Sequence, residues 1–79
     1  MRRVNAIRNL VTAVRSAADR IARDPMKGLP APRPYPDLAR PGRTWVKSGV
    51  YWIAYRIDGE PIIVGIFHEA ADIPGRADT

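Results

Sequence analysis

Asp58-Gly59 stands between two strand-like runs, residues 50–57 and 60–68, and it constrains the fold more than any other part of the chain. Both central residues of a tight type I′ hairpin need positive φ, which Asp-Gly tolerates better than almost any other pair. Ser48-Gly49 repeats the signal one strand earlier. The spacing therefore predicts an antiparallel meander with strands at about 43–47, 50–57 and 60–68. With two-residue turns, Trp45 faces Trp52, Thr44 faces Ile53, Tyr55 faces Ile62 and Ile53 faces Val64.

Alternation then sorts the side chains into two faces. Val46, Tyr51, Ile53, Tyr55, Ile57, Ile62, Val64 and Ile66 make one apolar face, which reads as core. Arg43, Trp45, Lys47, Val50, Trp52, Ala54 and Arg56 lie opposite, beside Ile63, Gly65 and Phe67. Two readings fit this second face. A tryptophan ring can pack over a strand glycine such as Gly65, or the face is an exposed aromatic and basic platform for a partner.

The cover for the core face lies upstream. Val4, Ile7, Val11, Val14, Ala18 and Ile21, widened by Leu10 and Ala17, recur at helical spacing and predict one amphipathic helix over about 4–22. Asp24-Pro25 ends it, because a residue before proline avoids the α region. Most arginines lie off the stripe and form a solvated face, among which Arg8 and Arg15 are candidates for partner contact. Residues 25–42 hold six prolines and read as a stiff, extended connector. The expected architecture is α+β, one domain over 1–79 with a helix on a three-stranded antiparallel sheet and a tail at 69–79.

Seventy-nine residues give a core that only just offsets chain entropy, so a partner or self-association would help. There is no cysteine, which removes disulfides and thiolate metal sites and suits a reducing cytoplasm. Neither apolar run, Val50 to Tyr55 or Ile62 to Phe67, is long enough to span a bilayer. Charge is uneven: residues 1–47 sum to +8 and residues 48–79 to −3. A basic half attracts nucleic acid or an acidic protein segment.

No catalytic set, cofactor loop or metal cluster stands out. Ser16 and Ser48 lack spaced His and Asp partners, and the glycines form no phosphate-cradling loop. His68, the sole histidine, could serve as a general acid or base, but a lone histidine at a strand end is more often structural.

The run Pro41-Gly42-Arg43, the strand and turn Val50-Tyr51-Trp52-Ile53-Ala54-Tyr55-Arg56-Ile57-Asp58-Gly59, then Ile62 to Phe67, His68 and Asp72, resembles the C-terminal half of ParE-type plasmid-stabilisation toxins. Val4 to Pro25 is similar to the second helix of that ParE/RelE superfamily. Relative to the family, the usual first strand and first helix have no counterpart here. The resemblance implies a toxin of a type II toxin-antitoxin system, acting without catalysis by binding DNA gyrase. A ParD-like antitoxin with an acidic tail would neutralise it. The candidate partner-binding residues, taken from the second sheet face and the helix arginines, are Arg43, Trp45, Lys47, Trp52, Arg56, Arg8 and Arg15.

The alternative within the superfamily is a RelE-like ribosome-dependent mRNA endoribonuclease using His68, Arg56 and Arg43. RelE-type enzymes commonly carry an arginine where Trp52 follows Tyr51, and basic residues where Glu69 and Asp72 follow His68. Acids there oppose stabilisation of a phosphodiester transition state, so the ParE branch is the better likeness. A non-toxic basic binding module on the same fold is the remaining alternative.

Overall fold

The computed structural model describes the backbone of residues 2–77 and the side-chain surroundings of residues 7–75. Helix α1 (Arg2–Arg23) leads through a proline-rich connector to β1 (Arg43–Ser48), β2 (Tyr51–Arg56) and β3 (Ile62–His68), followed by the short α2 (Ile73–Ala77). The strands form one antiparallel sheet in the order β1-β2-β3. The α+β arrangement of a main helix on a three-stranded antiparallel sheet is thus the observed one.

α1 ends where Asp24, outside the helical region at φ −153 and ψ 83, precedes Pro25. Arg20 and Arg23 occupy its last turn, where cations offset the negative end of the helix dipole. The face it buries differs from the expected stripe. Ala13, Ala17 and Ile21 are buried, Leu10 and Val14 half-buried, but Ile7 is 62% and Val11 43% exposed. Ala18 is also exposed, and the Val4 side chain lies outside the described residues. The reason is position along the sheet. Ser48 Oγ donates to the Ala13 carbonyl at 2.8 Å, so Ala13 already sits at the β1–β2 turn and the residues before it run past the end of the strands.

Both turns are displaced from their expected places. The first loop is Gly49-Val50, with Gly49 at φ 59 as a type II′ turn requires at its first central position. Trp45 therefore opposes Ala54 and Lys47 opposes Trp52, two residues away from the expected register. A shift of two keeps every side chain on its face, so the assignment of β1 and β2 faces survives. The Asp58-Gly59 loop spans 57–61, not two residues, and Arg56 closes it by an ion pair with Asp58 at 2.8 Å. Pairing resumes at Ile62, just after Pro61, which has no N–H to give to a ladder.

β2 and β3 also slip past one another between Ala54 and Tyr55: Ala54 opposes Gly65 while Tyr55 opposes Ile63, leaving Val64 as the extra residue of a bulge. The bulge turns Ile63 toward the cluster of Ala17, Ile21, Ile53 and Tyr55, and leaves Ile62, expected in the core, exposed.

The second face of the sheet is covered as well. Ala31, Leu38 and Ile73 pack with Trp45, Trp52 and Ala54, flanked by Leu29, Tyr35 and Phe67. The connector does this with two single 3₁₀ turns, Pro25–Lys27 and Pro36–Leu38, and a bridge in which Leu29 and Trp45 exchange two backbone hydrogen bonds of 2.7 Å. The chain therefore has three layers: helix, sheet, and a wrap of connector and α2. Burial of the Trp45 indole N–H without an acceptor among the described residues costs about 1–3 kcal/mol. Removing an indole from water returns roughly 4–6 kcal/mol, so packing wins.

Candidate functional site: a basic cleft and an uncovered helix half

Trp45 is 1% and Trp52 3% exposed, which overturns the reading of both as an exposed partner platform. The ring that lies over Gly65 is that of Phe67, whose Cε2 and Cζ a Cβ at Gly65 would strike, and Phe67 in turn packs on Trp45 at 5.6 Å between ring centroids. The tryptophans hold the fold together. They are not available to a partner in this chain.

The proposed catalytic alternative is also dispersed. Arg43 and Arg56 are cross-strand partners at one end of the sheet, whereas His68 pairs with Tyr51 at the other end. Arg56 is committed to Asp58, whose carboxyl it holds below the usual range by hydrogen bonding and charge. His68 Nδ1 accepts a hydrogen bond from the Ala70 N–H at 3.0 Å, which assigns the proton of the neutral ring to Nε2. Its ring stands edge-on to Tyr51. Both contacts make it a strand-end fixture.

The basic half does converge, at a place the sequence did not mark. A half-open cleft of about 470 Å³ lies between the end of α1, the start of the connector and β1. Arg20, Arg23, Lys27, Arg33 and Lys47 line it, with Asp24 the one acid, and Ile21, Leu29 and Val46 supply apolar wall. Three of these cations are already engaged. Arg20 Nη2 donates to the Lys47 carbonyl at 2.7 Å, and Lys47 Nζ pairs with Glu69 at 2.8 Å, which lowers the Glu69 carboxyl pKa. Lys47 and Arg33 both stand within cation–π range of the Trp52 ring, at 5.5 and 5.8 Å. Arg23 and Lys27 have no ion pair among the described residues.

Tyr55 closes the floor. Its hydroxyl donates to the Pro25 carbonyl at 2.7 Å, and burial pushes the phenol pKa up. Arg15 continues the basic flank along the helix beside Arg20 and Arg23, and Arg8 is exposed further out. Of the expected partner-binding residues, Lys47 and Arg15 thus join this region, while Arg43 and Arg56 stand apart from it. The signal that could have found the cleft was the clustering of cations at 20, 23, 27 and 33 on either side of the helix stop.

Beyond Ala13, the overhanging helix half presents Ile7 and Val11 to solvent, with the exposed Val50 on the neighbouring turn. Comparison with protein-family models, with curated proteins and with solved structures finds no match, so the ParE/RelE likeness rests on the residues quoted for it.

Proposed function

We propose that this chain works by contact, as a ParE-like toxin-fold protein held by an antitoxin whose acidic segment lies along the basic cleft. The observation that carries the reading is the cleft itself: five cations around an apolar-walled opening of about 470 Å³, two of them unpaired among the described residues. Carboxylates of a partner segment would meet Arg23 and Lys27, and its apolar side chains would fit against Ile21, Leu29 and Val46. The overhanging Ile7 and Val11 extend the same surface, bordered by Arg8. Acidic residues with apolar anchors suit such a surface better than single-stranded nucleic acid does, because its aromatic rings are buried and offer no stacking platform. DNA gyrase as the target, and the cytoplasm as the place, follow from the resemblance. No described helix is long and apolar enough to cross a membrane.

Induced expression in growing bacteria tests the reading. Replication should stop before translation, and co-expression of an acidic-tailed antitoxin should relieve the arrest. Reversing Arg23→Glu together with Lys27→Glu should weaken antitoxin binding by more than about tenfold and flatten its salt dependence. Early mRNA cleavage would select the RelE-like alternative. Unaffected growth with intact partner binding would select the non-toxic module.

A further inference from the structure

The two edges of the sheet are finished differently. Along β1 the chain closes its own edge: Leu29 takes both backbone bonds of Trp45, and the Arg20 guanidinium caps the Lys47 carbonyl. Along β3 nothing equivalent exists. Among the described residues, Ile62 to Phe67 form backbone hydrogen bonds with β2 alone, and α2 packs against β3 without bonding to its edge. α1 lies chiefly over β1 and β2, so Val64 and Ile66 on the helix side of β3 remain 42% and 41% exposed. An open, apolar edge strand is a template for another strand.

We propose that this edge pairs antiparallel with β3 of a second copy of the same chain, about a two-fold axis at Ile66. Charge selects the occupant. Pro61 to Phe67 contain no ionisable residue, in a chain of net charge +5 with Arg43 and Lys47 on its other edge strand. Two like-charged copies can meet here without apposing cations, whereas an acidic partner would gain nothing from a neutral strand. The bulge at Val64 limits regular pairing to Val64–His68, which sets the register: Ile66 opposes its own equivalent, and Gly65 opposes Phe67 of the second copy. Because the β1 edge is closed, each copy has a single open edge and association ends at the dimer. The paired segment is short, so the dissociation constant lies on the order of tens of micromolar.

Sedimentation equilibrium of the full chain from about 10 µM to about 1 mM, spanning that dissociation constant, should show a monomer–dimer equilibrium. Ile66→Lys places two ammonium groups opposite each other at the axis and should weaken the dimer more than about tenfold. Val50→Lys, equally exposed but off the edge, should leave it unchanged. Near-ultraviolet circular dichroism of the buried tryptophans verifies folding. The chain has no cysteine, so Ile66→Cys introduces a single thiol. Opposed strand positions lie about 4.5–5.5 Å apart between Cα atoms, within disulfide reach, and mild oxidation should cross-link it. A monomer throughout the range, a dimer indifferent to Ile66→Lys, assembly beyond two copies, or failure of Ile66→Cys to cross-link would each overturn the proposal.

Discussion

Both faces of the sheet carry a buried apolar cluster, under very different covers. On one, Ala13, Ala17 and Ile21 repeat every four residues along a single helix; Ala17 and Ile21 settle on Ile53 and Tyr55, and Ala13 is buried at the β1–β2 turn. On the other, Ala31, Leu38 and Ile73 come from separate turns and a five-residue helix, and they are gathered around two tryptophans. Small alanines let a regular helix approach the strands closely, so that cover needs few large side chains. An irregular cover has no repeating face to offer, and the sheet compensates by supplying the large rings itself. The difference teaches that the tryptophans mark the face whose cover is weakest in its own right.

Removing a ring should therefore do more damage than removing an aliphatic side chain on the helix face. Trp45→Ala is expected to cost about 3–5 kcal/mol, toward the upper end because its ring belongs to the buried cluster of Ala31, Leu38, Trp52 and Ile73, while the main-chain bridge to Leu29 stays in place. Ile53→Ala, fully buried on the helix face, should cost about 2–5 kcal/mol, toward the lower end. Urea unfolding of the two variants orders them, and either loss is a large part of the stability of a domain this small. An Ile53→Ala protein markedly less stable than Trp45→Ala would reverse the comparison and make the helix face the main source of stability.

Gly28→Ala sharpens the same contrast from the connector side. Gly28 has an ordinary φ of −71, so no backbone strain arises. A Cβ there would, however, run into Thr44 Cγ2, the Tyr55 hydroxyl and the Trp45 carbonyl. The connector must lift at the point where it bonds β1, and overpacking of this kind costs about 1–3 kcal/mol. Thermal denaturation that leaves Gly28→Ala level with the parent would mean that the wrap is not fixed at this point.

The legible and illegible parts of the fold divide along the same line. Alternation placed Val46, Ile53 and Tyr55 on the helix face correctly, because a period of two survives a register error of two. The register itself was missed since Gly49-Val50, not Ser48-Gly49, is the loop, and nothing in Asp58-Gly59 announces a bulge at Val64. The helix was legible as an element, but large Ile7 and Val11 outweigh small Ala13 and Ala17 in any apolar stripe, while only the latter meet the sheet. Prolines at every second position carry no apolar period, so Ala31 and Leu38 gave no sign that they would cover Trp45 and Trp52. The cleft follows from that docking: its walls come from the helix end, the connector and β1, which meet only once the connector lies down.

Tyr55 sits where the two covers meet, and the smallest expected effect comes from there. Its ring belongs to the helix-face cluster, but its hydroxyl reaches the Pro25 carbonyl at the start of the connector. Tyr55→Phe keeps the ring and deletes that link, for a loss of about 0.5–1.5 kcal/mol at neutral pH. Burial raises the phenol pKa above its ordinary value of 10.0, with the Asp24 carboxylate adding to the rise and a backbone hydrogen bond at Gly28 opposing it. The folded state thus favours the neutral phenol. Stability from this preference is complete below the unfolded pKa and is lost as pH climbs through the folded one. Melting curves of parent and Tyr55→Phe should therefore stand apart at neutral pH and draw together above about pH 10, since the variant has no phenol to ionise. Curves that stay parallel across that range would place the hydroxyl outside the coupling between the two faces and leave Gly28 and the Leu29 bridge as the attachment of the connector to β1.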